Sequence, residues 1–213
     1  DIVNSSDAKI SGNVSNKQLT TLPLLTRNPL NFVPLQAGVA AIQVISAVGL
    51  SPKAFVKKVA EAASKGQRTV IKELDESALQ LADQLIQEHG QYVMAESMRK
   101  AQVIMPFKMA QKFTAGLESK FQAHKIFERR AIAQLMTQPG LSQEAIKKAV
   151  DEVAKKYPAI ILTDARHKEI SNALAAGWKG KEKNMTKEEL RALYKKVYQK
   201  EPHWLEAIES YWR

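Results

Sequence analysis

The stretch "HKIFERR", residues 124–130, places an imidazole, a carboxylate and two guanidinium groups within seven positions. On a helix, His124 and Glu128 would lie on one face, because they are four positions apart. A carboxylate that orients an imidazole is the pairing that a general base needs. The same pairing also satisfies a histidine buried in a hydrophobic core. The stretch therefore supports two interpretations, a catalytic pair or a packed helical stripe, with Arg129 and Arg130 as a basic edge.

A second histidine, His167, stands in the stretch "TDARHKEI". On a helix, His167 shares a face with the apolar residues Ile170 and Leu174. If this helix packs against the one that carries His124, the two imidazoles converge. Such pairs occur in metal-independent ribonucleases, where two imidazoles exchange a proton and a cation stabilises the phosphorane. We therefore predict a catalytic set of His124, Glu128 and His167.

The charge reverses along the chain. Residues 69–98 hold one basic and six acidic side chains, whereas residues 99–130 hold eight basic and two acidic ones. The reversal predicts either complementary charges within the molecule or a separate basic surface that contacts phosphates. That surface would comprise Arg99, Lys100, Lys108, Lys112, Lys120, Lys125, Arg129 and Arg130.

Further basic residues stand in "GWKGKEKN", residues 177–184. Here the indole of Trp178 would stack on a nucleic-acid base while Lys179, Lys181 and Lys183 contact phosphates. The alternative is a solvated hinge whose Trp178 packs in the core. The glycines do not predict a phosphate-binding loop, because they follow a helix rather than a strand.

The composition narrows the classes of function. The 213 residues carry 32 Lys and Arg against 22 Asp and Glu, a net charge of +10, which favours anionic partners such as nucleic acid or an acidic membrane. Without cysteine, the chain has no disulfides, thiolate zinc sites or thiol nucleophiles. Four scattered histidines without an HExxH pattern predict neither a metal site nor a cofactor.

Helix start and stop signals dominate most of the sequence. Ser51, Pro52 and Gly66 give one helix a cap, a first residue and a stop. Thr186 and Glu189 form a capping box at the start of another. Each signal places a helix end without reference to the rest of the fold.

The longest predicted helix runs from Pro106 to Pro139 and is interrupted only by Gly116. Only "YPAIILT", residues 157–163, looks extended, and a single strand would have nothing to pair with. We therefore predict an all-α fold, a multi-helix bundle of about eight helices with an irregular N-terminal arm.

We divide the chain into an irregular linker or arm at 1–33, an apolar helix with a long-helix bundle at 34–138, and a basic helical region at 139–213. Residues 28–52 carry no charge. Within them, residues 29–50 approach the length of about 20 apolar residues that a membrane span requires. A central core helix has the same composition.

Two stretches, "GLSPKAFVKKVAEAASK" from Gly49 and "GLSQEAIKKAVDEVAKK" from Gly140, resemble each other. They indicate either a duplicated helical unit or a chance likeness between two capped helices rich in Ala, Lys and Val. The chain starts at Asp1 without a signal-peptide pattern, so we interpret it as a piece of a longer protein, delivered or exported, whose compartment stays open.

Charge and histidines lead to three hypotheses of function. The first is a basic helical domain that engages nucleic acid, cut from a larger protein, and that acts as a metal-independent nuclease of the effector or toxin kind. The second is a membrane-active or translocation module that inserts residues 29–50 while its lysines contact anionic headgroups. The third is a helical assembly or adaptor protein that binds a protein partner. The sequence leaves open whether the protein is an enzyme.

Overall fold

The structure is a computed structural model that describes residues 42–72, 75–136, 140, 142–179 and 185–212. The chain separates into two units, Asp1–Ala41 and Ile42–Arg213, and every described residue belongs to the second. The predicted arm at 1–33 and the predicted boundary at 138 lie outside the described residues.

Helices make up most of the described residues, with short strands between them. Within these residues the nine α-helices are α1 Pro52–Ser64, α2 Asp75–His89, α3 Gln91–Lys100, α4 Phe107–Thr114, α5 Arg129–Met136, α6 Gln143–Ala154, α7 Asp164–Trp178, α8 Lys187–Val197 and α9 Pro202–Ile208, followed by a 3-10 helix at Glu209–Trp212. The five strands there are β1 Ile42–Ile45, β2 Arg68–Ile71, β3 Met105–Pro106, β4 Phe121–Lys125 and β5 Pro158–Thr163. The fold is mostly helical, as the sequence predicts, but the short strands form two small sheets, so it is not purely all-α.

Capping residues begin several helices where the sequence predicts them. The Ser51 hydroxyl accepts a hydrogen bond from the Ala54 N–H at 3.3 Å, at the start of α1. Thr186 and Glu189 form the predicted capping box at the start of α8. The Thr163 hydroxyl caps α7. Each cap satisfies a backbone N–H that lacks a partner within the helix, so local chemistry fixes these starts.

The long helix predicted from Pro106 to Pro139 is wrong. Three elements, α4, β4 and α5, replace it within the described residues. Between α4 and β4, Gly116 has a φ of +75°, the left-handed conformation that glycine adopts without strain, so the chain leaves the helix here. The apolar residues that continue the helical period afterwards belong to a strand, because a distant segment pairs with them.

That distant segment is β5, the central strand of an antiparallel sheet rather than an isolated extended stretch. β5 pairs with β4, where His124 stands opposite Ile160, and on its other side with β3. β1 and β2 form a parallel pair. Ile104, just before β3, joins the two sheets: its carbonyl accepts from the Ile71 N–H at 2.8 Å, and its N–H donates to the Thr69 carbonyl at 2.9 Å.

Two hydrophobic clusters lie on the two faces of the antiparallel sheet. Successive side chains of β5 point to opposite faces of the sheet, so Ile160 and Leu162 pack in one cluster and Ala159 and Ile161 in the other. The first cluster is rich in aromatic rings from α7, α8 and α9, and we call it the aromatic cluster. The second packs α1 to α4 against the sheet. His124 stands opposite Ile160 and therefore points toward the aromatic cluster.

The segment predicted to insert into a membrane, residues 29–50, is described only from residue 42 onward. Residues 42–45 of it form β1, a strand rather than a helix. Among the described residues, none of the helices combines the length and the hydrophobicity that crossing a membrane requires.

Candidate functional site

The β4 histidine, His124, is almost fully buried, with 3% of its surface exposed. Its Nε2 lies 3.1 Å from Tyr198 Oη, and the Tyr198 hydroxyl donates to the Ile126 carbonyl at 2.8 Å. Because the phenol has a single proton, His124 Nε2 donates the first bond, and Nδ1 is the unprotonated nitrogen. Burial lowers the pKa of His124 to about 3, so its imidazole is neutral at neutral pH.

The α7 histidine, His167, lies edge-on to His124, with 5.4 Å between the ring centroids. The structure thus brings together the two imidazoles that the sequence predicts as catalytic. His167 is half-buried, and burial lowers its pKa, whereas the nearby carboxylates of Asp164 and Glu128 raise it. Both histidines line a cleft of about 210 Å³ beside β4, which we call the histidine cleft.

Glu128 does not form the pair with His124 that helical spacing predicts, because His124 stands on a strand and Glu128 lies in the turn before α5. The Glu128 carboxylate accepts a hydrogen bond from Trp178 Nε1 at 3.3 Å and pairs with Arg130 at 3.1 Å. The Glu128 N–H donates to Tyr194 Oη at 3.0 Å. Glu128 thereby fixes the start of α5 against α7 and α8.

A larger groove of about 730 Å³, the basic groove, adjoins the histidine cleft. Three residues, Phe107, Lys125 and Arg129, line both spaces. α4, the end of β4, the start of α5 and one face of α6 form the walls of the groove. The charged side chains that line it are the cations Lys108, Lys125, Arg129, Lys147, Lys148 and Lys155 and the acids Glu144, Asp151 and Glu152.

The basic groove keeps an excess of positive charge beyond its internal ion pairs. Arg129 pairs with Asp151 at 2.6 Å, across the groove between α5 and α6. Lys155, which follows the last residue of α6, pairs with Glu152 of that helix at 2.6 Å. Among the described residues, no carboxylate forms an ion pair with the remaining ammonium groups on the walls, which are those of Lys108, Lys125, Lys147 and Lys148.

Lys125 stands where the groove meets the histidine cleft. Its ammonium lies over the ring of Phe107, 3.9 Å from the centroid. Burial lowers the pKa of Lys125, and the charge of Arg129 lowers it further, whereas Asp151 raises it. Lys125 is therefore a better proton donor than a lysine in water.

Other residues of the predicted basic surface pair with acidic side chains of α2 and α3 instead. Arg99 and Lys100 both pair with Glu96, at 2.8 Å and 3.2 Å. Lys112 pairs with Asp83 on α2 at 2.7 Å. These contacts show that the charge reversal reflects, in part, complementary charges within the molecule.

Trp178 has 1% of its surface exposed and packs in the aromatic cluster, so its ring does not face a base. The guanidinium of Arg130 covers that ring, 4.7 Å from the centroid. Lys179 is exposed at the end of α7, and Lys181 and Lys183 lie outside the described residues.

The groove lysines of α6, Lys147, Lys148 and Lys155, are not part of the basic surface predicted from the sequence. Their signal is present in "AIKKAVDEVAKK", but the same pattern is typical of any solvated helix face. By contrast, Lys120, which belongs to the predicted surface, is not among the residues that line the groove and lies over the ring of Tyr92.

Within the part of the chain that the structure describes, no group of three or more His, Asp or Glu side chains is arranged so that it could hold a metal ion. No known protein family, curated protein or solved structure matches this chain.

Proposed function

We propose that this domain binds nucleic acid through its phosphates and cleaves RNA in the histidine cleft without a metal ion. One observation carries the proposal: a groove with excess positive charge shares Phe107, Lys125 and Arg129 with a cleft that holds two imidazoles. A polyanion held in the groove therefore presents a phosphodiester to His167. Lysines bind phosphates without reading bases, which fits a surface built mainly from ammonium groups.

In the proposed reaction, the ribose 2′-oxygen attacks the adjacent phosphorus and the bond from phosphorus to the 5′-oxygen breaks. His167 accepts the proton of the 2′-hydroxyl, because a lowered pKa favours its neutral form. Lys125 donates a proton to the departing 5′-oxygen, and Arg129 stabilises the negative charge of the phosphorane. The products are a 2′,3′-cyclic phosphate and a 5′-hydroxyl, and solvent returns the proton from His167 to Lys125.

His124 is a positioning residue in this scheme rather than the general base that the sequence suggests. A pKa of about 3 makes its imidazole a poor proton acceptor near neutral pH. Its hydrogen bond to Tyr198 fixes the ring, and the ring edge packs against His167. His124 therefore restricts the orientation of the imidazole that meets the substrate.

A cleavage assay on a labelled single-stranded RNA in excess chelator tests the proposal. We expect wild-type protein to produce 2′,3′-cyclic phosphate ends, and a single 2′-deoxy nucleotide at the cleaved position to block the reaction. His167→Ala should reduce the rate by about 100-fold or more, the contribution typical of a general base. The matched control is His89→Ala, which removes an exposed histidine at the end of α2.

The outcomes separate binding from chemistry. Salt-sensitive retention of RNA on a filter without cleavage would remove the nuclease and leave the binding proposal. If RNA is not retained even at low salt, both parts are wrong. Full activity of a folded His167→Ala variant would overturn the assignment of the general base.

A further inference from the structure

A further cavity, of about 200 Å³, lies on the other side of the first turns of α7. Consecutive residues of α7 divide the two spaces, because Arg166 lines this cavity and His167 lines the histidine cleft. We call it the α7–α9 pocket. Its lining consists of Arg99, Gln102, residues 160–163 of β5, Arg166, Glu201 and Trp204.

Two residues of the α7–α9 pocket carry buried polar atoms that have no hydrogen-bond partner among the described residues. They are the Nε1 of Trp204, a side chain with 2% exposure, and the Oε1 of Gln102. Gln102 has a φ of 50°, a left-handed conformation that is costly for a residue with a Cβ. A buried donor or acceptor without a partner is energetically costly, so a ligand that satisfies either atom binds more tightly.

The backbone of β5 also presents an unpaired edge to this pocket. The Pro158 carbonyl accepts from the Ile126 N–H on the β4 side, so alternation turns the N–H and C=O of Ile161 toward the β3 side. β3 pairs only with Pro158 and Ala159. Among the described residues, Ile161 therefore has no strand partner on that edge.

The charges of the pocket combine a loosely held carboxylate with guanidinium groups. Arg166 pairs with Glu169 at 2.7 Å but approaches Glu201 only to 3.9 Å. Arg99 is held by Glu96 outside the pocket lining. Burial raises the pKa of Glu201, whereas the nearby charges of Arg166 and Arg68 lower it. Glu201 thus keeps its capacity to accept hydrogen bonds.

We infer that the α7–α9 pocket binds one guanine base of the RNA. Guanine carries adjacent N–H donors that match the Glu201 carboxylate, and its O6 and N7 acceptors match the Arg166 guanidinium and the Trp204 indole N–H. Adenine presents a lone pair where guanine presents its ring N–H, so it meets the carboxylate unfavourably. This inference rests on the proposed function, since a base in the pocket belongs to a strand whose phosphodiester reaches His167.

The size of the pocket agrees with a single planar base. A cavity of about 150 Å³ accepts a benzene ring, so about 200 Å³ admits one larger heterocycle. A strand that crosses the N-terminal turns of α7 passes both Arg166 and His167. The pocket therefore supplies base selection beside a surface whose other contacts read only phosphates.

Calorimetric titration with guanosine, adenosine and cytidine 5′-monophosphates tests the inference without any need for cleavage. We expect wild-type protein to bind the guanosine nucleotide at least about tenfold more tightly than the other two, and Glu201→Gln to lose that preference. The matched control is Glu169→Gln, which also removes a partner of Arg166 but from outside the pocket lining. Trp204→Phe, which removes the indole N–H together with the five-membered ring, provides a second variant should Glu201→Gln fail to fold.

Equal affinity for the three nucleotides, or an unchanged preference in both folded variants, overturns the guanine inference. RNA that is bound and cleaved without base preference also overturns it and leaves the proposed function intact. Binding of the guanosine nucleotide by a protein that neither retains nor cleaves RNA supports the pocket and removes the proposed function.

Discussion

At the scale of single residues, a buried neutral histidine makes stability depend on pH. The pKa of His124 is about 3 in the folded protein and about 6.5 in an unfolded chain. Between these values the unfolded chain binds more protons, so the free energy of unfolding falls as the pH drops from 6.5 toward 3. His203, with a pKa lowered by burial to about 4, adds to the same effect. Above about pH 6.5 neither histidine makes the free energy of unfolding depend on pH.

We expect His124→Gln to show a smaller loss of stability on acidification than the wild type. Glutamine does not titrate, and its amide still donates an N–H toward Tyr198. The difference should reach up to about 1.4 kcal/mol per pH unit below pH 6.5, the limit for one titrating group. Urea unfolding at about pH 7 and about pH 5 measures it. His89→Gln is the exposed control, and equal acid sensitivity of all three proteins would contradict the prediction.

The sequence identifies the histidines of the site but not their contacts. The sequence identifies His124 and His167 because helical spacing places each of them on a face with apolar residues. Helical spacing predicts Glu128 as the acidic partner of His124, and that spacing has no meaning on a strand. The actual partner, Tyr198, stands 74 positions away from His124, and no local pattern connects them.

At the scale of elements, α7 and α8 meet closely at Gly177. The residue lies inside α7, and a Cβ placed on it would overlap with the Leu193 side chain of α8. We expect Gly177→Ala to lower the free energy of unfolding by about 1–3 kcal/mol, because overpacking outweighs the gain in helix propensity. Chemical denaturation measures the change.

A double-mutant cycle gives the control for this prediction. Leu193→Ala removes the side chain that the new methyl group meets, so the two substitutions together should cost less than the sum of their separate costs. Gly177→Ala that is neutral or stabilising would show that the two helices separate without penalty.

The helices could largely be predicted, whereas the sheet could not. Caps such as Ser51 and Thr186 act within one turn, and the structure confirms both. The apolar residues of β4 continue the helical spacing of α4 beyond Gly116, so this spacing alone does not distinguish a strand from a helix. β5 has the composition of a strand, but its partners β3 and β4 lie about 35 or more positions earlier. No local sequence pattern identifies these two segments as its partners.

At the scale of the whole molecule, two similar helices differ in their surroundings. α1 and α6 each begin after a capping serine and carry a Lys-Lys pair, Lys57 and Lys58 in α1 and Lys147 and Lys148 in α6. Only the α6 pair lines the basic groove. The chain thus contains its own control for the role of the groove, with the same charge in a similar helix.

We expect the double substitution Lys147→Ala and Lys148→Ala to weaken binding of single-stranded RNA about tenfold or more at low salt. The dependence of affinity on salt should become shallower, because each lost phosphate contact reduces the slope by about 0.7. Fluorescence anisotropy between about 50 and 200 mM salt measures both quantities. Lys57→Ala with Lys58→Ala should leave them unchanged, and equal effects of the two pairs would indicate that only net charge matters.

The net charge of +10 can be counted in the sequence, but its distribution depends on the fold. Lys112 of α4 pairs with Asp83 of the earlier helix α2, whereas Arg99 pairs with Glu96 of its own helix, α3. Lys108 and Lys148 come together across α4 and α6 because both helices wall the same groove. Counting charges along the sequence predicts a basic surface. Which of its cations lack an ion-pair partner depends on contacts between helices.

The central position of β5 bears on how the protein is made. A ribosome delivers β1 to β4 first, and β4 then exposes hydrogen-bonding groups on both of its edges. Both hydrophobic clusters include side chains of β5, so neither can close until residues 158–163 have left the exit tunnel. We infer that the nascent chain holds helices before it holds the antiparallel sheet, and that the arrival of β5 completes the second cluster, whereas the aromatic cluster also waits for α7, α8 and α9.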